Sequence, residues 1–539
     1  MGTKKWLATA MTAALSAGMI AGCSSDSGQA GTTATAQPSA SPQASAAASP
    51  GAQSTLASEK PLSLKIHLHY GNGGGGDKVF NDTWPVFKKA AELTNVSLTG
   101  TASKTLSNSA EAFNLMLASG DLADIIHYTK TDLNKLGTEG GLIPLNDLID
   151  KHAPNIKKFW QERPDVRKYV TSADGNVYFL SFVPDGSAST GWFIRQDWLD
   201  ALGLKTPVTA EEYYNVLKAF RDNDPNKNGK KDEIPYFNRQ SFGIYSLLNL
   251  WDAGIAYKVD SQTDTIVYDP LNPNYKTGMA NLAKWYAEGL IDKEIFTRKG
   301  DTRLTLLSDN VGGSTHDWFA STYGYNAKVK DKVPGVNLLP IAPPASVSGD
   351  RAWFDYRGTV SPSGWGISAS NKHPEETIKY MDFWFSEQGR TLINYGVEGD
   401  TYDLVDGKPA FKKELLDTGN VLGQLLKKGA QQEIGFHQNF DYEKQWTSKD
   451  VLGYIDEYSS KYIRKVAVPE LSYTSTEQER LKELEGQIDT YRVEVGQKWL
   501  LGAEAVEANY DNFVKQLKNL GIDEVLKIKN EAYIRYKKS

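Results

Sequence analysis

From position 224 to 235 the chain reads Asp-Pro-Asn-Lys-Asn-Gly-Lys-Lys-Asp-Glu-Ile-Pro. Oxygen-bearing side chains fall at the first, third and fifth places (Asp224, Asn226, Asn228). Gly229 is sixth, where a turn glycine belongs, the Lys230 carbonyl is seventh and Asp232 is ninth. This is the spacing of a loop that wraps a calcium ion in oxygen ligands. The end departs from a standard EF-hand: Pro235 is twelfth and the acid Glu233 is tenth, and no long pair of flanking helices is obvious. Two readings stand here. One is a structural calcium held by Asp224, Asn226, Asn228, Lys230, Asp232 and Glu233. The other is an Asn- and Gly-rich surface turn without metal.

A second group of residues pairs flat rings with polar neighbours: Trp251-Asp252, His316-Asp317-Trp318, Trp353-Phe-Asp-Tyr356-Arg357 and Trp365. A pyranose offers apolar C–H faces and a fringe of hydroxyls. Indole and phenol rings stack on the faces, while Asp, Asn and Arg bond the fringe. Trp251, Trp318 and Trp353 are the expected platforms, with Asp317 and Tyr356 as polar partners. Trp198 and Trp384 sit in helix-like apolar patterns and are assigned to the core. Arg195 follows a strand and either faces a ligand or pins Asp197.

Catalytic patterns are mostly missing. There is no Gly-x-Ser-x-Gly elbow and no His-Glu-x-x-His, and the seven histidines show no metal spacing. The four glycines at 73–76 lack the Gly-Lys-Ser/Thr ending of a phosphate loop and precede Asp77. Paired carboxylates for glycoside hydrolysis have no positive support among 66 Asp and Glu. A formal charge of −6, well mixed along the chain, argues against nucleic acid as a partner.

The elements that must position these residues begin after residue 60. Positions 62–69 alternate apolar and polar, the period of a half-buried strand. A helical pattern covers 81–94, a strand 96–100, a helix 111–119 and a short strand 124–128. Strands alternating with helices predict an α/β body with a largely parallel sheet. Ligands of such sheets bind beyond the carboxyl ends of strands, and Tyr70, Asn72, Tyr128 and Thr129 lie at such ends.

Upstream, Lys4 and Lys5 precede an apolar run from Trp6 to Ile20, too short for an ordinary span and suited to a secretory leader. It ends Ile20-Ala-Gly-Cys23, with the one cysteine of the chain. This resembles the lipobox of bacterial lipoproteins, which implies cleavage after residue 22 and acylation of Cys23. Residues 24–58 are almost entirely Ser, Ala, Thr, Gly, Gln and Pro, a composition that cannot bury a core. The expectation is a disordered tether over 23–60, spanning about 30 Å as a flexible coil. The folded body then hangs outside a membrane by a lipid anchor.

Several segments carry a family resemblance. Residues 113–126 (Phe-Asn-Leu-Met-Leu-Ala-Ser-Gly-Asp-Leu-Ala-Asp-Ile-Ile) resemble the signature segment of family 1 extracellular solute-binding proteins of sugar ABC transporters. Segments 141–149, 193–204 with Pro207 and Thr209, Trp365-Gly-Ile-Ser, His373-Pro-Glu-Glu and 395–402 follow in the family's order. Length and lipobox match its long Gram-positive oligosaccharide-binding subgroup. The resemblance implies a two-lobed periplasmic-binding-protein-like fold, closing by hinge segments on a sugar in a central cleft. The expected division is 61–185 plus 361–430 for the first lobe and 186–360 plus 431–539 for the second. Glu398 and Tyr402 fall in a family-like segment near the cleft. Similar loops in the subgroup hold one structural calcium, which selects the metal reading of 224–235. The implied role is delivery of a complex carbohydrate, without catalysis, by a monomer to an ABC permease. The alternative is a surface-anchored glycan hydrolase or lyase acting in the same cleft.

Overall fold

The computed structural model describes residues 55–71, 77–186, 188–239, 241–298, 302–354 and 357–538. Cys23, Asn72 and Tyr356, and the leader and most of the tether, lie outside them. In chain order the strands are β1 (Leu62–His67), β2 (Val96–Gly100), β3 (Ile125–Thr129), β4 (Leu180–Ser181), β5 (Thr190–Arg195) and β6 (Ile234–Tyr236). Next come the hairpin β7 (Tyr257–Asp260) and β8 (Thr265–Tyr268), then β9 (Gly312–Trp318) and β10 (Leu338–Ile341). The series closes with β11 (Ser363–Ile367) and a second hairpin, β12 (Tyr402–Val405) with β13 (Lys408–Phe411).

Two mixed sheets result. The first runs β2-β1-β3-β11-β4 and the second β10-β5-β9-β6. The strands β1, β2 and β3 are parallel, as βαβ units require. The sheets are less parallel than expected. β11 returns after a long excursion and enters antiparallel to β3, and β5 lies antiparallel to both β9 and β10. The helix expected over 81–94 starts at Pro85, because proline is preset for the first helical position and needs no amide partner there.

Each sheet has its own core. The first core draws on Ala57 to Val183 and Val360 to Tyr442. The second draws on Ala188 to Trp353, on Phe440, and on Val451 to Val525. Ile434 and Phe436, expected in the second lobe, are fully buried in the first core instead. Trp198 and Trp384 are core residues, as their patterns predict.

The chain therefore passes between cores three times, and the passages are laced together. The Val183 amide donates to the Phe436 carbonyl at 2.8 Å, and the Gln438 amide to the Val183 carbonyl at 2.9 Å. The Ser361 amide donates to the Phe182 carbonyl at 2.9 Å. Phe440 N donates to an Asp185 carboxylate oxygen at 2.9 Å, and Arg357 Nη2 to Glu443 Oε2 at 2.8 Å. A further segment, 463–473, reaches the first lobe: its Glu470 carbonyl accepts from Lys130 Nζ at 2.9 Å, and Ser472 Oγ donates to the Thr171 carbonyl at 2.6 Å.

Candidate ligand-binding cleft and metal loop

The passages fix which sheet edges meet. Residues 182–186 lead into the start of β5, where Thr190 pairs with Trp318 at the end of β9. The passage after Arg357 leads into the start of β11, where Ser363 pairs with Thr129 at the end of β3. The end of β3 in one lobe and the end of β9 in the other thus both adjoin the hinge segments.

On the first lobe this edge carries Tyr70, His127 and Tyr128. The Tyr128 ring stacks on Phe113, centroids 4.0 Å apart. Tyr70 meets His127 edge-on at 5.5 Å. Burial, with the Glu433 carboxylate nearby, pushes the Tyr70 phenol up. His127 Nε2 lies 2.9 Å from the Glu433 carbonyl.

On the second lobe the edge carries Asp317 and Trp318. Asp317 is clamped by two arginines: Arg239 Nη2 reaches Oδ1 at 2.9 Å, and Arg303 Nη1 reaches Oδ2 at 2.5 Å. Trp318 is 45% exposed, an unusual setting for an indole. Behind them His316 is buried, with Tyr236 Oη 2.7 Å from its Nδ1.

The histidines of the two edges titrate in one direction. Burial, helped by His69 and His127, pushes the imidazole of His67 down to about 4. Burial alone lowers His127 and His316 to about 4. The unfolded chain binds these protons near pH 6.5 and the native state does not, so stability is full above about pH 6.5 and falls toward pH 4. Denaturant titrations at stepped pH should show loss beginning above the carboxylate range. Each imidazole costs at most about 1.4 kcal/mol for every pH step of one between those two values. Constant stability from pH 7 to pH 5 would contradict this.

The 224–235 loop lies elsewhere on the second lobe, at the entry to β6. Asp224 and Lys227 take left-handed backbone angles, with φ of 47° and 56°, as does Gly229 at 74°. These bends turn the side chains inward. Asp224 Oδ1 accepts from the Asn228 amide at 3.1 Å and its Oδ2 from the Gly229 amide at 2.9 Å. Asn226 and Asn228 both donate their side-chain amides to Asp232. Among the described residues no group of three or more His, Cys, Asp and Glu is placed to hold a metal ion. Glu233 supplies the test of fit. Both its carboxylate oxygens are buried without a hydrogen-bond partner. Burial first, then the charges of Asp232 and Asp224, raise its pKa. A buried carboxylate without a hydrogen-bond partner, with the charges of Asp232 and Asp224 acting on it, fits a divalent cation of oxygen preference.

The sequence model of one family, bacterial extracellular solute-binding protein, matches residues 75–391. The chain belongs to that family. Among solved structures, this solute-binding protein is similar to the alginate-binding protein AlgQ2, crystallised without calcium ion. The two are 41% identical with a TM-score of 0.78, over 89% of this chain and 99% of AlgQ2. The fructooligosaccharide ABC transporter substrate-binding protein FusA of Streptococcus pneumoniae serotype 4 is 29% identical over 472 residues, 80% of this chain and 83% of FusA. An EF-hand mutant of FusA in complex with fructo-nystose has the same fold, with a TM-score of 0.69 at 24% identity over 88% of this chain and 99% of that one. The polygalacturonan/rhamnogalacturonan-binding protein YtcQ of Bacillus subtilis (strain 168) is 24% identical over 446 residues, 78% of this chain and 83% of YtcQ. The family is one of binding proteins.

In this solute-binding protein several expected ligand residues turn out to be structural. Trp353 is 0% exposed, wedged against Trp192, His316 and Tyr458, and its indole N–H donates to Thr190 Oγ1 at 3.0 Å. Trp251 is buried edge-on against Trp285. Neither has a free face for a sugar. Arg195 is buried and takes the second of its two readings: Nη2 and Nε grip Asp197 at 2.6 and 2.8 Å, and Nη2 also reaches Asn310. Tyr402 is buried in the first core against Tyr395 and pairs with Phe411 across the β12–β13 hairpin, at whose base sits the exposed Glu398. The arginines on Asp317 were missed. Arg239 stands 78 residues from its partner, and nothing in its local sequence marks it.

Trp353→Ala is expected to cost about 3–5 kcal/mol of stability, as for other buried aromatic truncations. Chemical denaturation reads this, and a change under about 1 kcal/mol would return Trp353 to the list of platforms.

Proposed function

We propose that the protein captures oligosaccharides outside the cell, held to the membrane by a lipid on Cys23, and hands them to an ABC permease. A ligand touching the ends of both β3 and β9 contacts both lobes at once only when the hinge is closed. That differential affinity is what shifts the population toward the closed form. The lobe division follows the two cores, and Tyr70, Tyr128, Asp317 and Trp318 are the proposed ligand contacts. Asp224, Asn226, Asn228, Asp232, Glu233 and the Lys230 carbonyl would hold a structural calcium, supplying charge neutralisation inside the loop and no chemistry on the sugar.

The observation that carries the reading is the end of β9. An exposed indole stands beside a carboxylate held by two arginines, in a chain 41% identical to an alginate-binding protein. The indole suits a ring face. The Arg239 guanidinium, partly exposed on Asp317, suits a uronate carboxylate. Acidic oligosaccharides are therefore favoured over neutral ones. Calorimetry with alginate and galacturonate trisaccharides, beside kestose, tests this. The expected result is saturable binding of an acidic trisaccharide at least about tenfold tighter than kestose, with the sugar recovered intact. Equal or tighter binding of kestose would overturn the acidic preference, and failure of every glycan would overturn the oligosaccharide reading.

A further inference from the structure

A cavity of about 430 Å³ lies wholly within the second lobe, between the segment around Tyr245, the β7–β8 hairpin and residues 466–467. Its size falls in the range of sites for small ligands, roughly 300–1,000 Å³. The walls are mostly apolar, with three aromatic residues, Tyr245, Tyr257 and Phe354, beside Ile255 and Val466. A short polar floor interrupts them: Lys258 Nζ meets Asp269 Oδ1 at 2.6 Å, with Asn249 alongside. We propose that this cavity is a subsite for one uncharged sugar ring, at the second-lobe end of the bound oligosaccharide. The proposal rests on the reading of the chain as an oligosaccharide-binding protein.

The chemistry of the lining selects the ligand. Phe354, an exposed ring on the wall, offers a face to the C–H side of a pyranose. A carboxylate beside an ammonium group takes a pair of neighbouring hydroxyls, one as donor and one as acceptor. The same floor disfavours a uronate. Asp252 and Asp269 both line the cavity, against Lys258 alone, and that lysine is already engaged by Asp269. At the end of β9 a partly exposed guanidinium, that of Arg239, stands on Asp317 instead. The two regions together describe a glycan whose acidic residues lie between the lobes and whose neutral residue lies in the cavity.

The position joins the cavity to the hinge side of the lobe. Phe354 follows Trp353, whose ring contacts His316 at 5.6 Å, one residue before Asp317. The Trp353 amide donates to the Tyr462 carbonyl, and the chain from there supplies Val466 and Ala467 to the wall before Glu470 receives Lys130 of the first lobe. One side of the cavity is thus built from the segment that bridges the lobes.

Ala256 and Ala467 stand exposed at the rim, so Ala256→Phe and Ala467→Phe block the cavity without cutting into a core. The experiment is saturation-transfer NMR with methyl β-D-glucopyranoside, methyl β-D-galactopyranoside and methyl galacturonate glycoside, each at about 20 mM. Wild type and both blocked variants are compared, with melting curves to confirm folding. The neutral glycosides should give transfer signals that fall at least about fivefold in each folded blocked variant. Signals unchanged by blocking, no neutral-glycoside signal from wild type, or a galacturonate signal that blocking abolishes would each overturn the proposal. Calorimetry of the wild type with acidic trisaccharides reads the broader function separately, so a failed cavity and a failed binding protein are distinguishable.

Discussion

Chelating calcium with EGTA should lower the melting temperature of this protein by an amount on the order of 10 °C. The argument starts from Glu233, whose two oxygens are buried without partners while Asp224 and Asp232 raise its pKa. A buried carboxylate among carboxylates destabilises the fold unless a cation neutralises it. A bound ion at a thousandfold excess over its Kd contributes about 4 kcal/mol. For a lobe of this size each kcal/mol moves the midpoint by roughly 2–4 °C. The sign of a variant sharpens the test. Glu233→Gln removes the orphaned charge, so without calcium it should melt above wild type, yet calcium should no longer raise its midpoint. Scanning calorimetry in EGTA and in calcium, on both proteins, checks this. A wild type that melts identically in the two buffers would return the loop to a metal-free turn.

The second large effect concerns the end of β9. Asp317→Ala leaves Arg303 and Arg239 without their shared carboxylate, and Arg303 is buried. Removing one partner of a buried pair costs about 3–5 kcal/mol, because the remaining charge keeps its desolvation penalty. Trp318→Ala should behave differently. The indole is 45% exposed, so stability should change by about 0.5 kcal/mol or less. Affinity for an acidic trisaccharide should fall by roughly tenfold, the worth of one stacked ring. Denaturation and calorimetry on the two variants separate the roles. A Trp318→Ala variant that binds as wild type would remove the indole from the site.

The contrast between Trp318 and Trp353 shows where local sequence stops being informative. Both stand in aromatic and charged surroundings, and both read equally well as platforms. The difference is made by distant chain: Trp353 bonds to Thr190, 163 residues away, and lies under Tyr458. Arg239 was invisible for the same reason, since its partner Asp317 arrives on another strand. What was legible had a local cause. The alternation at 62–69 became β1, the pattern ending at Thr94 became a helix begun by Pro85, and the turn from Asp224 takes its bends from its own residues. The parallel tendency of the sheets was overestimated, because β11 and β5 enter from passages between lobes and no neighbouring helix sets their direction.

The central claim is that a glycan is held between two lobes and closes them. Small-angle X-ray scattering during titration with an acidic trisaccharide tests it most directly. The account predicts a radius of gyration that falls as ligand is added and levels off at the stoichiometry found by calorimetry. Full saturation of binding with an unchanged radius of gyration would contradict it.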